Sequence, residues 1–275
     1  MIGVASDVIN AVLSYDIGAI NSEDNDIKFI IHRTDDYLPD VAFVNIYNLK
    51  QNIFSSILKN GVSNIFSVFV GISESYPLLL FKGALVPSSI KIDLKNIRTD
   101  LGYTSDTSYS FTLVEAFNFY SKFIEITYTD EVSAFAIIKD CAIETGLDEV
   151  IFSDTVSDVI YQSYKAVGKA SVIVKQICNS LNTTFYIKNN NLYVGHLGKA
   201  SLLMPVLNLS NSTLPVCIGA NLYKLVTAYN PDIKPGNLLN VCFLGLLVGT
   251  FKVHQTFISG DTTKNLVEMT VIIGI

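Results

Sequence analysis

The stretch VAFVNIYNLKQNIFSSILKNG, residues 41 to 61, changes its hydrophobic period halfway along. Up to Tyr47 apolar and polar side chains alternate, as in a strand with one buried face. From Leu49 onward the apolar residues follow helical spacing. Asn48 stands between the two periods, and an asparagine side chain can cap the start of a helix. The stretch therefore predicts a strand that runs directly into a short helix over residues 49–60.

Strand-like segments precede and follow this stretch, and similar segments return in the last third of the chain. Polar turn residues separate them, as expected for strands joined by tight connections. In the first third the predicted strands are 26–32, 41–47, 64–72, 77–86, 88–94 and 108–117. In the last third they are SLLMPVLNLS, NLYKLVTAYN, NLLNVCFLG, LVGTFKVHQTFI and NLVEMTVIIG. Many strands of mixed length indicate an antiparallel barrel or sandwich.

The middle of the chain has a different pattern. Apolar residues recur at helical spacing after Asp130, whose charge suits the first turn of a helix, and Gly146 provides a stop. A second helix is predicted from about Lys169 to Leu181, followed by a hairpin over 183–197. The pattern in this region predicts a small α+β module.

The first and last thirds also share an order of features. In each, a turn leads to a strand, then to a strand with an internal glycine, and after a polar gap to a third strand. The predicted fold class is α+β and β-dominated, with two similar antiparallel β-barrel domains flanking a small α+β insert. The predicted divisions are an N-terminal arm or helix (1–20), a first β-barrel (21–117), the α+β module (118–200) and a second β-barrel (201–275).

Composition restricts the classes of function. Charged residues make up 16% of the chain, against a typical value of about 25%, so apolar surface is expected to be covered by partners. The longest apolar run, Val241 to Phe251, is too short to span a membrane, and no stable membrane insertion is predicted. The N-terminus lacks the basic start of a signal peptide, and residues 4–13 are expected to form a docking helix or an arm. A net charge of −6 with scattered cations disfavours nucleic-acid binding.

No set of residues predicts a catalytic, cofactor-binding or metal site. The histidines at 32, 196 and 254 are far apart, and the four cysteines (141, 178, 217, 242) lack metal or redox spacing and are expected to be buried free thiols. Loop carboxylates at 24, 26, 35 and 36 are open to a divalent cation, although solvated loop charge is the simpler interpretation. The glutamates on predicted ordered elements are Glu115, Glu125, Glu144 and Glu268, and nothing pairs them as glycosidic chemistry requires.

The order of these motifs resembles a known family. VNIYNLKQNIFSSILKNG, followed by FSVFVG and LLFKGALV, resembles the opening barrel of baseplate hub proteins from contractile-tailed bacteriophages. STLPVCIGANLYKLVTAYNPDIKPGNLLNVC looks like the second barrel of that family, and GTFKVHQTFISGDTTKNLVEMTVII looks like its final hairpin. The resemblance covers about residues 20 to 275. The family often carries an aromatic residue in the last strand, where this chain has Leu266 or Val267.

The resemblance implies a structural, non-enzymatic function with no cofactor. It implies a homotrimeric ring that adapts the sixfold tail tube to the threefold central spike, contacts other baseplate proteins and lines a channel through which genomic DNA passes without specific binding. The implied location is the tail baseplate of a virion that is assembled in the host cytoplasm. Three alternatives stay open: a tail-associated cell-wall hydrolase, the hub of a phage-derived contractile injection system, and a carbohydrate-binding adhesin.

Overall fold

A computed structural model describes residues 9–15, 18–35, 37–60, 65–72, 77–99, 102–188, 190–195 and 205–274. Strands dominate these ranges. The strands before the insert are β1 (Ile9–Tyr15), β2 (Gly18–Asn21), β3 (Ile27–Thr34), β4 (Val41–Tyr47), β5 (Ile65–Ile72), β6 (Leu78–Leu85), β7 (Lys91–Thr99) and β8 (Gly102–Val114). The strands after it are β16 (Val206–Asn208), β17 (Val216–Gly219), β18 (Leu222–Ala228), β19 (Leu238–Phe243), β20 (Leu246–Asp261) and β21 (Leu266–Gly274).

These fourteen strands form one large sheet. Its main path runs β17-β18-β21-β20-β3-β4-β8-β6-β5-β1-β2, with β7 paired to β8 and β16 paired to β19. Every pairing is antiparallel except that of β16 with β19. The predicted β-dominated fold is therefore confirmed. Within the described residues the path does not close on itself, so the division into two barrels stays a prediction.

Alternation along the strands creates the buried face. In β4, Ala42, Val44 and Ile46 are buried while Phe43 and Asn45 point away from the core, as the period-two pattern requires. A single hydrophobic core contains buried residues of both the N-terminal half of the sheet (β1 to β8) and the C-terminal half (β16 to β21). The two β regions of the sequence are thus continuous in their packing.

The predicted strand-to-helix unit is present, with one correction. Helix α1 (Gln51–Asn60) follows β4, and the amides of Ile53 and Phe54 donate to the carbonyl of Lys50. Asn48 does not cap the helix. It has a left-handed backbone (φ 57°), and its side-chain oxygen accepts from the amide of Thr107 on β8. A capping residue needs extended dihedrals and a free side chain, and Asn48 has neither.

The middle of the chain folds around a second hydrophobic core. We call residues 117–195 the insert. Its helices are α2 (Phe117–Ser121), α3 (Ala134–Glu144) and α4 (Ala170–Ser180), and its strands are β9 (Phe123–Tyr128), β10 (Val132–Ser133), β11 (Glu149–Phe152), β12 (Ile160–Tyr161), β13 (Tyr164–Lys169), β14 (Phe185–Lys188) and β15 (Asn191–Val194). Strands β14 and β15 form the predicted hairpin.

One predicted helix start is wrong, and one of two predictions for the N-terminal segment is wrong. Helix α3 begins four residues after Asp130, because the Ser133 hydroxyl accepts from the amide of Ala136 and so caps the helix at that point. Of the two predictions for residues 4–13, the docking helix is wrong from Ile9 onward, where β1 pairs with both β2 and β5, and the arm stays a prediction. Residues 1–8 lie outside the described residues.

Candidate functional site: repeated strands, a junction and two sheet edges

The two halves of the large sheet contain the same order of paired strands. In the N-terminal half the order is β5-β6-β8-β4-β3, and in the C-terminal half it is β19-β20-β21-β18-β17. In both, a hairpin is followed across the sheet by the last strand of the half and then by the strand that precedes the hairpin. The sequence repeat therefore has a counterpart in strand pairing.

A β-bulge falls at the same place in both halves. Val68 pairs with Phe81 and Phe69 with Leu79, so Leu80 is the extra residue of the first hairpin. In the second hairpin Val241 pairs with Gly249 and Cys242 with Leu247, so Val248 is the extra residue. Within each hairpin a slip of one residue would exchange the buried and exposed faces, so the register is specific. The matching bulge therefore allows the residues of the two halves to be aligned with each other.

The halves meet where β20 pairs with β3, along seven residues from Gln255 opposite Thr34 to Asp261 opposite Lys28. Ile258 and Ile31 face each other there, and both are 0% exposed. We call this pairing the junction. It joins residues of high sequence separation, and no motif in the sequence had indicated it.

Charged groups hold both ends of the junction. Lys28 lies 3.2 Å from the Asp261 carboxylate, and Asp35 accepts from Lys252 at 2.7 Å. The hydrogen bond to Asp261 raises the pKa of Lys28. Burial alone would raise the pKa of Asp261, but hydrogen bonds from Thr263 and Lys28 outweigh it, and the pKa is below its usual value. Both groups are therefore held in their charged forms.

Among the described residues, none covers the face of the sheet that points away from the core around the junction. Ser259, Ile30, Phe43 and Thr112 stand side by side on β20, β3, β4 and β8, and we call this surface the outer face. A groove of about 670 Å³ lies on it, with Lys28, Lys91, Lys264 and Asp261 among its charged lining residues. Ile30 and Phe43 are about half exposed in the groove (48% and 52%).

Strands β7 and β17 are edges of the sheet within the described residues. β7 pairs with β8, and β17 pairs with β18. Apolar side chains project from both: Ile92 and Leu94 of β7 are 51% and 72% exposed, and Val216 of β17 is 61% exposed. Native edge strands usually carry charge or proline against unwanted pairing, and VCIG of β17 has neither.

The four glutamates considered for catalysis are not brought together. Glu125 pairs with Lys165 on β9 and β13 of the insert, while Glu144 pairs with Lys122 at the end of α3. Glu268 lies on β21 opposite Ala228. Of three cavities lined by described residues, two include Glu115 and none includes any of the other three glutamates. The arrangement offers no pair of carboxylates flanking a shared cavity among these four.

The histidines and loop acids are also dispersed. His32 stacks on Phe257 at 4.4 Å, and its Nε2 is buried without a hydrogen-bond partner among the described residues. His254 lies 3.5 Å from Asp35, whereas His196 and Asp36 fall outside the described residues. In the part of the chain that the structure describes, no three His, Cys, Asp or Glu residues cluster as metal ligands.

The cysteines differ from one another. Cys141 and Cys178 are buried in the insert, and burial raises the pKa of each thiol to about 12. The prediction of buried free thiols is confirmed for these two. It is wrong for Cys217, which is exposed on the edge strand β17, and Cys242 is only partly buried. Among the described helices, none combines the length and apolar character needed to cross a membrane.

No protein-family profile matches the sequence, and no curated protein matches it. The fold, however, is similar to solved structures. A tail protein from Neisseria meningitidis MC58 has a TM-score of 0.66 at 8% identity, over 97% of this chain and 96% of that one. The 43 kDa tail protein of prophage MuSo2 from Shewanella oneidensis has a TM-score of 0.66 at 9% identity, over 98% of both chains.

A third similar structure comes from a secretion machine. The E. coli c3393 protein, a component of the type VI secretion system described as structurally similar to the T4 tail proteins gp27 and gp5, has a TM-score of 0.57 at 8% identity. The match covers 95% of this chain and 76% of that one. The resemblance predicted from the motif order is thus confirmed for the fold, which is that of phage tail proteins.

Proposed function

We propose that this protein is a structural hub of a phage tail baseplate. The observation that carries the proposal is the repeated strand order with its matching bulge, because two equivalent units in one chain give six equivalent units in a trimer. Such a ring fits a sixfold tail tube on one side and a threefold spike on the other. The similarity in fold to two phage tail proteins supports the same conclusion.

In the proposed assembly each half of the sheet, with its part of the shared core, acts as one barrel-like unit. The proposed bounds of the two units are residues 21–117 and 201–275, and in the N-terminal half β1 and most of β2 precede the first of these ranges. The α+β module (118–200) is proposed as a separate unit, and the insert's own core supports this. The tail tube, the central spike and other baseplate proteins are the proposed partners. The location is the tail baseplate, and assembly takes place in the host cytoplasm.

The proposed activity is mechanical, with no catalytic, cofactor or metal site. DNA passes through the channel of the ring without specific binding, because an acidic chain of net charge −6 does not retain phosphates. Dispersed glutamates, each placed in a different environment, support this assignment over a hydrolase.

A phage-derived contractile injection system is a second candidate. The observation that favours it is the similarity in fold to the type VI secretion component of E. coli. The two candidates share the ring and differ in the machine that contains it.

The test is the mass and symmetry of the purified chain. Light scattering is expected to give a trimer at micromolar concentration, and electron-microscopic class averages are expected to show a ring of six lobes. Monomers in both measurements would contradict the hub. Muralytic activity that one Glu→Gln change at Glu115, Glu125, Glu144 or Glu268 abolished would identify a hydrolase instead.

A further inference from the structure

The pairing registers allow residues of one half to be matched with equivalent residues of the other half. In the N-terminal half Val44 pairs with Phe111, and in the C-terminal half Leu225 pairs with Val271, and all four are buried. Following the registers outward from these pairs makes β7 the equivalent of the second part of β20. It makes β17 the equivalent of β3.

At the level of single residues, Ile92 is then equivalent to Ile258. Ile92 pairs with Tyr109, as Ile258 pairs with Met269. Cys217 is equivalent to Ile31, because Cys217 pairs with Tyr223 as Ile31 pairs with Ala42.

The equivalent residues have opposite environments. Ile258 and Ile31 are 0% exposed because they face each other at the junction. Ile92 is 51% exposed and Cys217 is exposed, although each pairs with a strand equivalent to the one that its counterpart pairs with. The difference is that β20 and β3 pair with each other. Within the described residues, β7 pairs only with β8 and β17 pairs only with β18.

We propose that β7 of one copy pairs with β17 of the next copy, and that this contact reproduces the internal junction between β20 and β3. The inference rests on the proposed function, because it names the strands through which the ring closes. The intermolecular pairing is antiparallel, and it places Ile92 opposite Cys217 and Asp93 opposite Val216 of the neighbouring copy. Exposed apolar side chains on both edges are buried as a result.

A second copy of this chain is the occupant that the sheet itself specifies. β7 and β17 are different strands, so joining them is a head-to-tail contact, which forms a ring when the rotation closes. The internal junction shows that strands of these two types pair with a fully buried contact at the centre. An unrelated strand would not be expected to reproduce the register in which β20 and β3 pair.

The test uses the natural thiol of Cys217 with the full-length Ile92→Cys variant under a mild oxidant such as diamide. Opposed residues of an antiparallel pair have Cα atoms about 4.5–5.5 Å apart, within the range that a disulfide spans. We expect covalent dimers and trimers on a non-reducing gel, no species beyond the trimer, and their loss on reduction. The Ile92→Cys/Cys217→Ser variant is expected to give no ladder.

A position control uses Val167, which is 67% exposed on the insert and lies on neither edge. The Val167→Cys variant is expected to give no ladder under the same conditions. Two further variants test the contact without a disulfide. Leu94→Asp on β7 is expected to weaken trimer formation by light scattering on the order of tenfold or more, equivalent to about 1.4 kcal/mol. Val167→Asp is expected to leave the trimer unchanged.

The possible outcomes separate this inference from the proposed function. A trimer by light scattering that gives no ladder with Ile92→Cys, or that tolerates Leu94→Asp, overturns the edge pairing and leaves the hub standing. A ladder that continues past the trimer supports the edge pairing and contradicts the closed trimeric ring. Monomers without a ladder overturn both.

Discussion

The N-terminal and C-terminal halves of the large sheet have the same strand order but use different lengths of chain to make it. Between β4 and β5 the N-terminal half has residues 48–64, which include α1, whereas the C-terminal half joins β18 to β19 through residues 229–237. The position of the bulge coincides despite this difference, although the extra residue is buried in the first hairpin (Leu80) and exposed in the second (Val248). Strand pairing is therefore specified by the faces and registers of the strands, and the connections vary freely around it.

The central strand of each half shows a second difference. β20 continues for sixteen residues with a register shift beside His254, while β6 and β7 are separated by a 3-10 turn at Pro87–Ser89. Proline has no backbone amide to donate, so a continuous ladder cannot pass through this point. The amide of Thr112 donates to the Ser89 hydroxyl instead of to a strand carbonyl. The interruption makes β7 a separate strand with an edge of its own.

The largest expected difference between the two halves comes from truncating the equivalent isoleucines. Ile258→Ala removes a fully buried side chain at the junction and is expected to lower the free energy of unfolding by about 2–5 kcal/mol. Ile92→Ala, at the equivalent exposed position, is expected to change it by less than about 0.5 kcal/mol in the monomer. Urea unfolding measured below the concentration at which copies associate gives both values. Equal losses would show that the two positions are not in different environments.

Strands β6 and β20 each contain a glycine two residues from a phenylalanine, with Phe81 before Gly83 in β6 and Phe251 after Gly249 in β20. A Cβ added at Gly83 would lie 2.6 Å from the Phe81 ring and 2.8 Å from the Val114 backbone, whereas one added at Gly249 would meet only the Phe251 ring, at 3.0 Å. Backbone cannot move aside as a ring can. Gly83→Ala is therefore expected to destabilise by about 1–3 kcal/mol. Gly249→Ala is expected to be nearly neutral, and thermal unfolding that ranked the variants in reverse would contradict the packing described.

The charged end of the junction gives a smaller, pH-dependent effect. The pKa of Asp261 is lowered in the folded chain, so its contribution is present above the unfolded pKa of about 3.9 and is lost as pH falls through the folded pKa. Asp261→Asn is expected to reduce stability at pH 7 by less than about 1 kcal/mol, because the ion pair with Lys28 is partly exposed. The difference between variant and parent should shrink in acid. Urea midpoints that differed equally at pH 7 and pH 2.5 would show that the carboxylate charge is not responsible.

Thiol labelling distinguishes the exposed edge strand β17 from the buried core of the insert without altering stability. Cys217 is exposed, while Cys141 and Cys178 are buried with thiol pKa values raised to about 12. At pH 8 an aromatic disulfide reagent is expected to label Cys217 quickly in monomers and more slowly in oligomers, with Cys141 and Cys178 labelled only on unfolding. Rapid labelling of either buried thiol in the native protein would contradict the packing of the insert.

Local pattern predicted most of the elements and little of their arrangement. Alternation located β4 at its observed bounds, and helical spacing located α4 within one residue at each end. The caps were harder to predict, because Ser133 and Asn48 take their roles from hydrogen bonds that depend on the three-dimensional neighbours. The repeat was visible in the sequence because the order of strands and turns is local.

The junction and the open edges could not be predicted in the same way. Pairing β3 with β20 depends on a match of faces between strands more than two hundred residues apart, and many other pairings satisfy the same alternation. For the same reason Cys217 was expected to be buried: its sequence context is that of a strand, and only the topology shows that this strand lies at an edge.

The junction also determines when the fold can be completed. Thr34 pairs with Gln255, so forming the junction closes a very large loop of the chain. Long-range strand pairing of this kind slows folding. During synthesis β3 emerges long before its partner and has only β4 to pair with. The insert, with its own core, can fold in the interval and shorten the loop that remains. Strand β20, which joins the two halves, thus leaves the ribosome long after β3.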